Sequence, residues 1–251
     1  MIRLFATSEY SEQEWRKDYG EEFTIVYKSI DAEYVLDLKA ELILARKQIE
    51  SFFDNNFLHP FTFQILPDRA ELDAQWRVSF NQPWFISICW MVGTGSAKTL
   101  SILSPREWAI EDCGHDPTND VEIYKLIVHE LTHSYHDQIN PSEDIGVYEN
   151  IGWLIEGVAV YVSNQLEGQQ LSSPIEAVRN GQSPLRLEDA WSGKYKYAVS
   201  GSLVKYIDEK WGRKTLAKIL QYTTEVEILN ELQVFEDEFL SGWKAYVLEG
   251  N

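Results

Sequence analysis

The segment His129-Glu130-Leu131-Thr132-His133 places two imidazoles and a carboxylate at a spacing that can support chemistry. On a helix, residues four apart project from one face with Cβ atoms roughly 5 to 6 Å apart, so His129 and His133 can reach a single ion. Glu130 lies one position further round, where it can touch a water activated by that ion without binding the ion itself. The pattern predicts a metal site with a neighbouring general base.

A second interpretation of the same segment needs no metal, because Glu130 and the two histidines could pair with one another in a structural helix. The apolar run Leu126 to Val128 just before the motif predicts that the helix is buried. Two unpaired buried histidines beside a glutamate would be costly. We therefore favour the metal, and measuring metal content separates the two interpretations.

A catalytic zinc site needs a third protein ligand and an open position for water. The candidate is Glu156, an acidic residue alone in the apolar segment Trp153 to Tyr161. A carboxylate there would otherwise be neutral or paired with a cation. Glu149, seven residues earlier, is the alternative ligand.

The two segments together resemble the gluzincins, zinc metallopeptidases with His-Glu-x-x-His on one helix and a glutamate ligand in a Trp-Leu-x-Glu-Gly-x-Ala segment on the next. The chain is most similar to small peptidase-MA-like bacterial proteins, and the similarity covers most of its length. The resemblance implies a zincin-like active site between two lobes, with Zn²⁺ bound by His129, His133 and Glu156. It also implies hydrolysis of peptide bonds, with Glu130 as the base and a peptide or protein as substrate.

The resemblance further implies that Tyr197 donates a hydrogen bond to the oxyanion, whereas its alternative role is that of a core aromatic. Tyr195 and Tyr206 lie roughly 180 to 200° round the same helix, so they cannot face the metal together with Tyr197. Larger gluzincins often carry an acidic residue four positions after the glutamate ligand, which orients the first histidine. Here that position is Val160, so the partner of His129 must come from elsewhere.

The first half of the chain has the pattern of a sheet with one or two helices. Strands are predicted over Phe23 to Lys28 and Phe61 to Ile65, and a long apolar-striped helix is predicted from Asp31. Further strands are predicted over Trp84 to Val92 and Thr99 to Leu103, joined by a glycine turn at 93–96. We expect Thr99 to Leu103 to be the sheet edge that holds an extended peptide, with Leu100 and Ile102 facing the core.

The second half is predicted to be helical, over about Asn119 to Ile139, Tyr148 to Glu167 and Tyr195 to Trp211, then in pieces from Arg213. The fold class is therefore α+β. Residues 1–112 are expected to form an N-terminal lobe with a mixed or antiparallel sheet and a long helix. Residues 113–251 are expected to form a helical lobe that carries both metal-binding segments, the two lobes making one compact unit.

Composition limits the class of protein. The chain has 251 residues, 44% of them apolar, and its formal net charge is 22 − 40 = −18. It is long enough to fold without disulfide bonds or structural metal ions, and its net negative charge argues against binding nucleic acid. The longest apolar run, Trp84 to Val92, is about half of what a membrane span requires, and the start lacks the pattern of a secretory signal. The expected location is the cytoplasm.

The remaining cysteines and histidines are expected to be structural. Cys89 and Cys113 stand singly and are predicted to be buried thiols. His136 and Asp137 are predicted to lie at the surface near a helix end, where a histidine cation suits the helix dipole. His59 and His115 are also predicted to be structural or solvated, each beside a turn signal.

The sequence thus predicts a zinc-dependent peptidase. The alternative is a zinc-binding regulatory or interaction module of the same fold without turnover, because a fold and a metal do not guarantee chemistry. The sequence leaves the substrate, endo or exo cleavage and the oligomeric state open.

Overall fold

The computed structural model describes residues 14–111, 114–142, 145–167 and 173–250, which fold as α+β. The strands are β1 (Trp15–Tyr19), β2 (Phe23–Lys28), β3 (Phe61–Leu66), β4 (Gly93–Gly95) and β5 (Thr99–Leu103). The α-helices are α1 (Val35–Phe53), α2 (Arg69–Ser79), α3 (Pro105–Glu111), α4 (Asp120–Ile139), α5 (Gly152–Val162), α6 (Pro174–Arg179), α7 (Lys196–Trp211), α8 (Arg213–Ile219), α9 (Glu225–Leu232) and α10 (Glu236–Glu249). Short 3-10 helices cover Ser29–Tyr34, Ile145–Val147, Glu149–Ile151, Gln165–Glu167 and Leu187–Asp189.

The strands form one mixed sheet in the order β1-β2-β3-β5-β4. The central strands β2, β3 and β5 are parallel, whereas β1 and β4 run antiparallel to their neighbours at the two edges. Ile25, Phe63 and Leu100 pair across the central strands and are fully buried, so this face belongs to the core. On the other face lies α2, whose Trp76 Nε1 donates to Ser101 Oγ at 3.1 Å.

The edge of the sheet differs from the prediction. β5 pairs with β3 on one side and β4 on the other, so Thr99–Leu103 is interior and cannot accept a further strand. The edge is β4, in the segment that the sequence predicts as a turn. Leu100 and Ile102 are fully buried, as predicted.

The segment Trp84 to Val92 is not a strand. Side chains of α2 bind its backbone instead: Asp73 accepts from the Ser87 N–H at 2.9 Å, and Arg77 donates to the Phe85 carbonyl at 2.7 Å. Because these groups are already satisfied, they are not free to pair in the sheet. Alternate apolar side chains of the segment point to solvent: Trp84, Ile86, Ile88 and Trp90.

The long helix α1 begins at Val35, later than the predicted start at Asp31, because a 3-10 turn precedes it. Asp31 is fully buried and accepts from Ser104 Oγ at 2.6 Å, with Arg106 3.4 Å away. Burial raises the pKa of this carboxyl group. Asp31 thus ties the start of α1 to the residues that follow β5.

The helix α4 agrees closely with its prediction. Asn119 caps it, since its Oδ1 accepts from the Glu122 N–H at 3.3 Å, and the helix ends at Ile139, two residues before Pro141. The helix α7 also matches its predicted range. The predicted helix from Tyr148 to Glu167 is shorter in the structure, because only α5 is α-helical and 3-10 turns lie on both sides of it.

The helices α5 and α7 pack unusually close, because each has a glycine at the contact. A Cβ atom on Gly157 would lie 2.4 Å from the Ser200 carbonyl oxygen, and one on Gly201 would lie 2.5 Å from Val160 Cγ1. Real side chains do not tolerate such distances. The helix with the proposed glutamate ligand and the helix with the proposed tyrosine donor are therefore in direct contact.

Hydrogen bonds from α1 join the two halves of the chain. Gln48 Nε2 donates to the Val162 carbonyl at 2.6 Å, and Arg213 Nη1 donates to the Phe52 carbonyl at 2.9 Å. The predicted lobe boundary at residue 112 lies outside the described residues.

Cys89 is exposed and forms a disulfide bond, so the prediction of a buried thiol is wrong for this residue. Cys113 lies outside the described residues. Disulfides are rare in the cytosol, so this bond weighs against the predicted cytoplasmic location. Among the described helices, none has the length and apolar character that crossing a bilayer requires.

Candidate metal centre

The helix α4 lies between α1, α5 and the sheet edge. Ile127, Val128 and Leu131 are fully buried and fix the rotation of the helix. His129 and Glu130 are also buried, at 7% and 8% exposure, so the motif lies within the protein interior.

The side chains of His129, His133 and Glu156 converge from α4 and α5. Their ligand atoms all lie within 4.8 Å of one another. The Glu156 Oε2 atom is 3.4 Å from His129 Nε2 and 3.8 Å from His133 Nε2. No other trio of His, Cys, Asp or Glu side chains comes this close within the described ranges. These three residues could hold a metal ion, as the sequence predicts.

Two of the three donor spacings are close to those around a small tetrahedral ion. With metal–ligand bonds of about 2.0 to 2.1 Å and tetrahedral angles, two donor atoms lie roughly 3.3 to 3.4 Å apart. The His129–Glu156 distance already equals this value, and the His133–Glu156 distance exceeds it by less than half an ångström. Two imidazoles and one carboxylate also form a donor set that leaves a fourth position open.

Gln165 is the partner that orients His129. Its Oε1 atom lies 2.9 Å from His129 Nδ1, and an amide oxygen can only accept, so Nδ1 carries the proton. When the ring is neutral, its lone pair is therefore on Nε2, the atom that faces Glu156. Gln165 lies in the 3-10 turn after α5, where it replaces the acidic residue that is missing at Val160.

Glycines of β4 allow the sheet edge to lie directly on Glu130. A Cβ atom on Gly93 would be 2.8 Å from Glu130 Cγ, and one on Gly95 would be 1.9 Å from the Glu130 carbonyl oxygen. Only glycine fits at both positions. Glu130 is therefore held between α4 and the free edge of the sheet.

Burial and neighbouring charges set the protonation of these groups. Burial raises the pKa of Glu130 to about 7, and the Glu156 charge adds to the rise, while His129 opposes it. Burial lowers the pKa of His133 to about 4, so its ring is neutral near pH 7. Burial acts against ionisation of His129 and Glu156 too. The hydrogen bond to Glu156 and the charge of Glu130 outweigh burial at His129 and raise its pKa, whereas His133 and His129 outweigh burial at Glu156 and lower its pKa.

Tyr197 lies within electrostatic reach of the acidic side chains of the site. Burial raises the pKa of its hydroxyl above the ordinary value, and the charges of Glu156 and Glu130 raise it further. Its ring packs edge-on against Trp191, with centroids 4.7 Å apart. The hydroxyl therefore stays protonated at neutral pH.

The other tyrosines of α7 point elsewhere, as the helix geometry predicts. Tyr195 is buried, and its hydroxyl accepts from Asn180 Nδ2 at 3.0 Å. Tyr206 packs among aromatic rings, and its hydroxyl accepts from Lys210 Nζ at 2.7 Å.

His136 and Asp137 do not lie free at the surface, so that prediction is wrong. His136 is 1% exposed, and its Nε2 donates to the Leu220 carbonyl at 3.0 Å. Burial lowers the pKa of His136 to about 3, which keeps it uncharged. Asp137 is half-buried and accepts from the backbone N–H groups of Ala97 and Ile145, at 2.6 and 3.0 Å. Backbone groups of three other segments therefore contact the last turn of α4 and cover both positions.

The side chain of the alternative ligand, Glu149, lies outside what the structure describes. His115 is structural, since its Nε2 is 2.9 Å from the Trp90 carbonyl and its ring packs on Trp108.

No known family model matches this chain. No curated protein matches it either. The geometry of the site therefore carries the functional argument by itself.

Sequence reasoning missed three residues of this site: Gln165, Gly93 and Gly95. A glutamine nine residues after the ligand has no recognisable spacing, because a 3-10 turn brings it back to His129. The Gly-Thr-Gly segment did carry a signal, since glycine inside a strand indicates that another element approaches closely.

Proposed function

We propose that this chain is a zinc-dependent peptidase of the gluzincin type. The observation that carries the proposal is the convergence of His129, His133 and Glu156 beside Glu130. Two imidazoles and a carboxylate leave a fourth position for water, the arrangement of a catalytic rather than a structural zinc site. Imidazole nitrogen and carboxylate oxygen together suit zinc among the common ions.

Zinc bound there would polarise the scissile carbonyl and lower the pKa of the attacking water towards about 7. Glu130 takes the proton of that water and passes it to the leaving amine. Its burial between α4 and the sheet edge supports this role, because it holds the carboxyl group beside the proposed ligands and away from bulk water.

Tyr197 supports the same reaction from α7. Its hydroxyl is protonated at neutral pH, so it donates a hydrogen bond to the carbonyl oxygen as negative charge develops there. Gln165 keeps the His129 ring in the orientation and tautomer that ligation requires.

The free edge of β4 supports a peptide as substrate. An extended chain that pairs with this edge gains backbone hydrogen bonds whatever its sequence, and pairing places it next to Glu130. Gly93 and Gly95 leave no side chain between the strand and the helix.

The first test is metal content. Protein purified without a histidine tag is expected to hold about one zinc per chain by elemental analysis. His133→Ala and Glu156→Gln should each lose zinc, whereas Glu167→Gln, an exposed glutamate in the same region, should keep it. Folded parent protein that binds no zinc on reconstitution would refute the metal site.

The second test is turnover on a broad peptide library. Glu130→Gln should retain zinc and fold but lower hydrolysis by a factor on the order of 10² to 10⁴, the scale for losing a general base. An equal rate in parent and variant would exclude this role for Glu130. Zinc-loaded parent protein without any cleavage would instead favour the zinc-binding module.

A further inference from the structure

Lys196 is a cation without an anionic partner at the edge of the candidate site. It is half-buried, and no carboxylate lies within ion-pair distance of it in the described residues. Aromatic faces surround its ammonium group instead: the ring centroids of Trp191, Tyr197 and Trp90 are 4.3, 5.2 and 6.0 Å from Nζ. Such faces hold a cation in place while leaving it able to bind an anion.

The position of Lys196 does not stabilise the helix α7. It is the first residue of α7, where the helix dipole is positive, and no acidic residue lies in that first turn. A cation there opposes the dipole, so helix stability does not account for it. The chain has almost twice as many acidic as basic residues, 40 against 22, and yet this lysine pairs with none of those described.

Lys196 also acts electrostatically on one of the proposed metal ligands. It precedes Tyr197 directly, and its charge is one of those that lower the pKa of Glu156. Trp90, on its other side, is held in place by the His115 bond to its carbonyl and lies three residues before β4. The ammonium therefore lies between the segment that leads into the sheet edge and the helix that carries the tyrosine.

We propose that Lys196 binds a carboxylate of the substrate, so that the site prefers peptides with a negative charge close to the bond that is cut. This inference rests on the proposed peptidase function. The carboxylate can be the C-terminus of the peptide or the side chain of an Asp or Glu residue, and peptides that carry only one of the two distinguish these sources. Because the acidic protein repels such peptides in general, a local cation is needed to accept one.

The test compares the zinc-loaded parent with Lys196→Met on three matched peptides: one with a free C-terminal carboxylate, its C-terminal amide, and the amide with one internal Gln replaced by Glu. The quantity measured is the ratio of kcat/KM for each charged peptide to that for the neutral amide. We expect the parent to favour at least one charged peptide by roughly tenfold, the scale of one partly exposed charge-assisted hydrogen bond. In Lys196→Met this ratio should fall to about one.

Two further variants serve as controls. Lys194→Met removes the same charge two residues away, where the lysine is exposed over the Tyr195 ring, and should keep the parent's ratio. Lys196→Arg should retain the preference, because it keeps the cation. A ratio near one in the parent, or the same ratio in parent and Lys196→Met, overturns the inference.

Binding measurements separate this inference from the proposed function. The same peptides are titrated against zinc-loaded Glu130→Gln protein with and without Lys196→Met, and affinities are measured by calorimetry. A tenfold preference for a charged peptide that Lys196→Met removes supports the carboxylate site even when the parent cleaves nothing. Equal affinities for charged and neutral peptides overturn it even when the parent is an active peptidase.

Discussion

Gln165 provides a sharp test of the site, because one hydrogen bond links it to the metal-binding face. Its Oε1 accepts a hydrogen bond from His129 Nδ1, with 2.9 Å between the two atoms; the Gln165 side chain is half-buried and that of His129 is buried. In Gln165→Ala the ring loses the partner that selects its tautomer, so part of the population carries its proton on Nε2, the ligand atom. Loss of such a partner weakens metal binding by about 10- to 100-fold, or roughly 1.4 to 2.7 kcal/mol.

The assay is competition for zinc against a chromophoric chelator at constant pH. Glu167→Ala is the matched control, since Glu167 lies in the same 3-10 turn and its side chain is exposed. Gln165→Glu should bind zinc at least as well as the parent, because a carboxylate also accepts from Nδ1. An unchanged zinc affinity in Gln165→Ala, or an equal loss in Glu167→Ala, would show that the hydrogen bond does not support the ligand.

Three other predictions follow from the structure. Tyr197→Phe should lower turnover on the order of 10² to 10³ with little change in peptide affinity, and a loss confined to affinity would contradict its role as a donor. In Gly95→Ala the new Cβ would clash with the Glu130 backbone, whereas in Gly93→Ala it would contact only the Glu130 side chain. Gly95→Ala should therefore lower the urea midpoint of unfolding more than Gly93→Ala does. The reverse order would disprove this packing. Burial, with the charges of Glu236 and Glu188, raises the pKa of Glu225 to about 7. Because the carboxyl group ionises more easily in the unfolded chain, the folded protein loses stability as the pH rises from the unfolded pKa of Glu225 through 7. Glu225→Gln removes this loss, so it should raise Tm more at pH 8 than at pH 5.

Local rules predicted the candidate metal ligands well. Spacing placed His129 and His133 on one face of α4, Asn119 and Pro141 bracketed that helix, and an acidic residue alone in an apolar segment indicated Glu156. These features depend on neighbours within a few turns of helix, which the sequence displays directly.

Features that depend on distant parts of the chain were not predicted. The order of strands decides that β5 is interior and β4 is the edge, and no local pattern encodes that order. Trp84 to Val92 has the composition of a buried strand, yet Asp73 and Arg77 of α2 bind its backbone and leave its alternate apolar side chains exposed. The partner of His129 was missed for the same reason, because the chain turns back after α5.

The glycine contact between α5 and α7 limits how such a site can diverge. A larger residue at Gly157 or Gly201 would force the two helices apart, and Glu156 and Tyr197 would move apart with them. Substitutions at this contact are therefore expected to abolish the proposed chemistry before they alter its substrate preference. Trp90 precedes β4 and Lys196 is at the start of α7, both outside this glycine contact, so variation in the proposed substrate preference is expected to accumulate at these two positions while the contact itself stays constant.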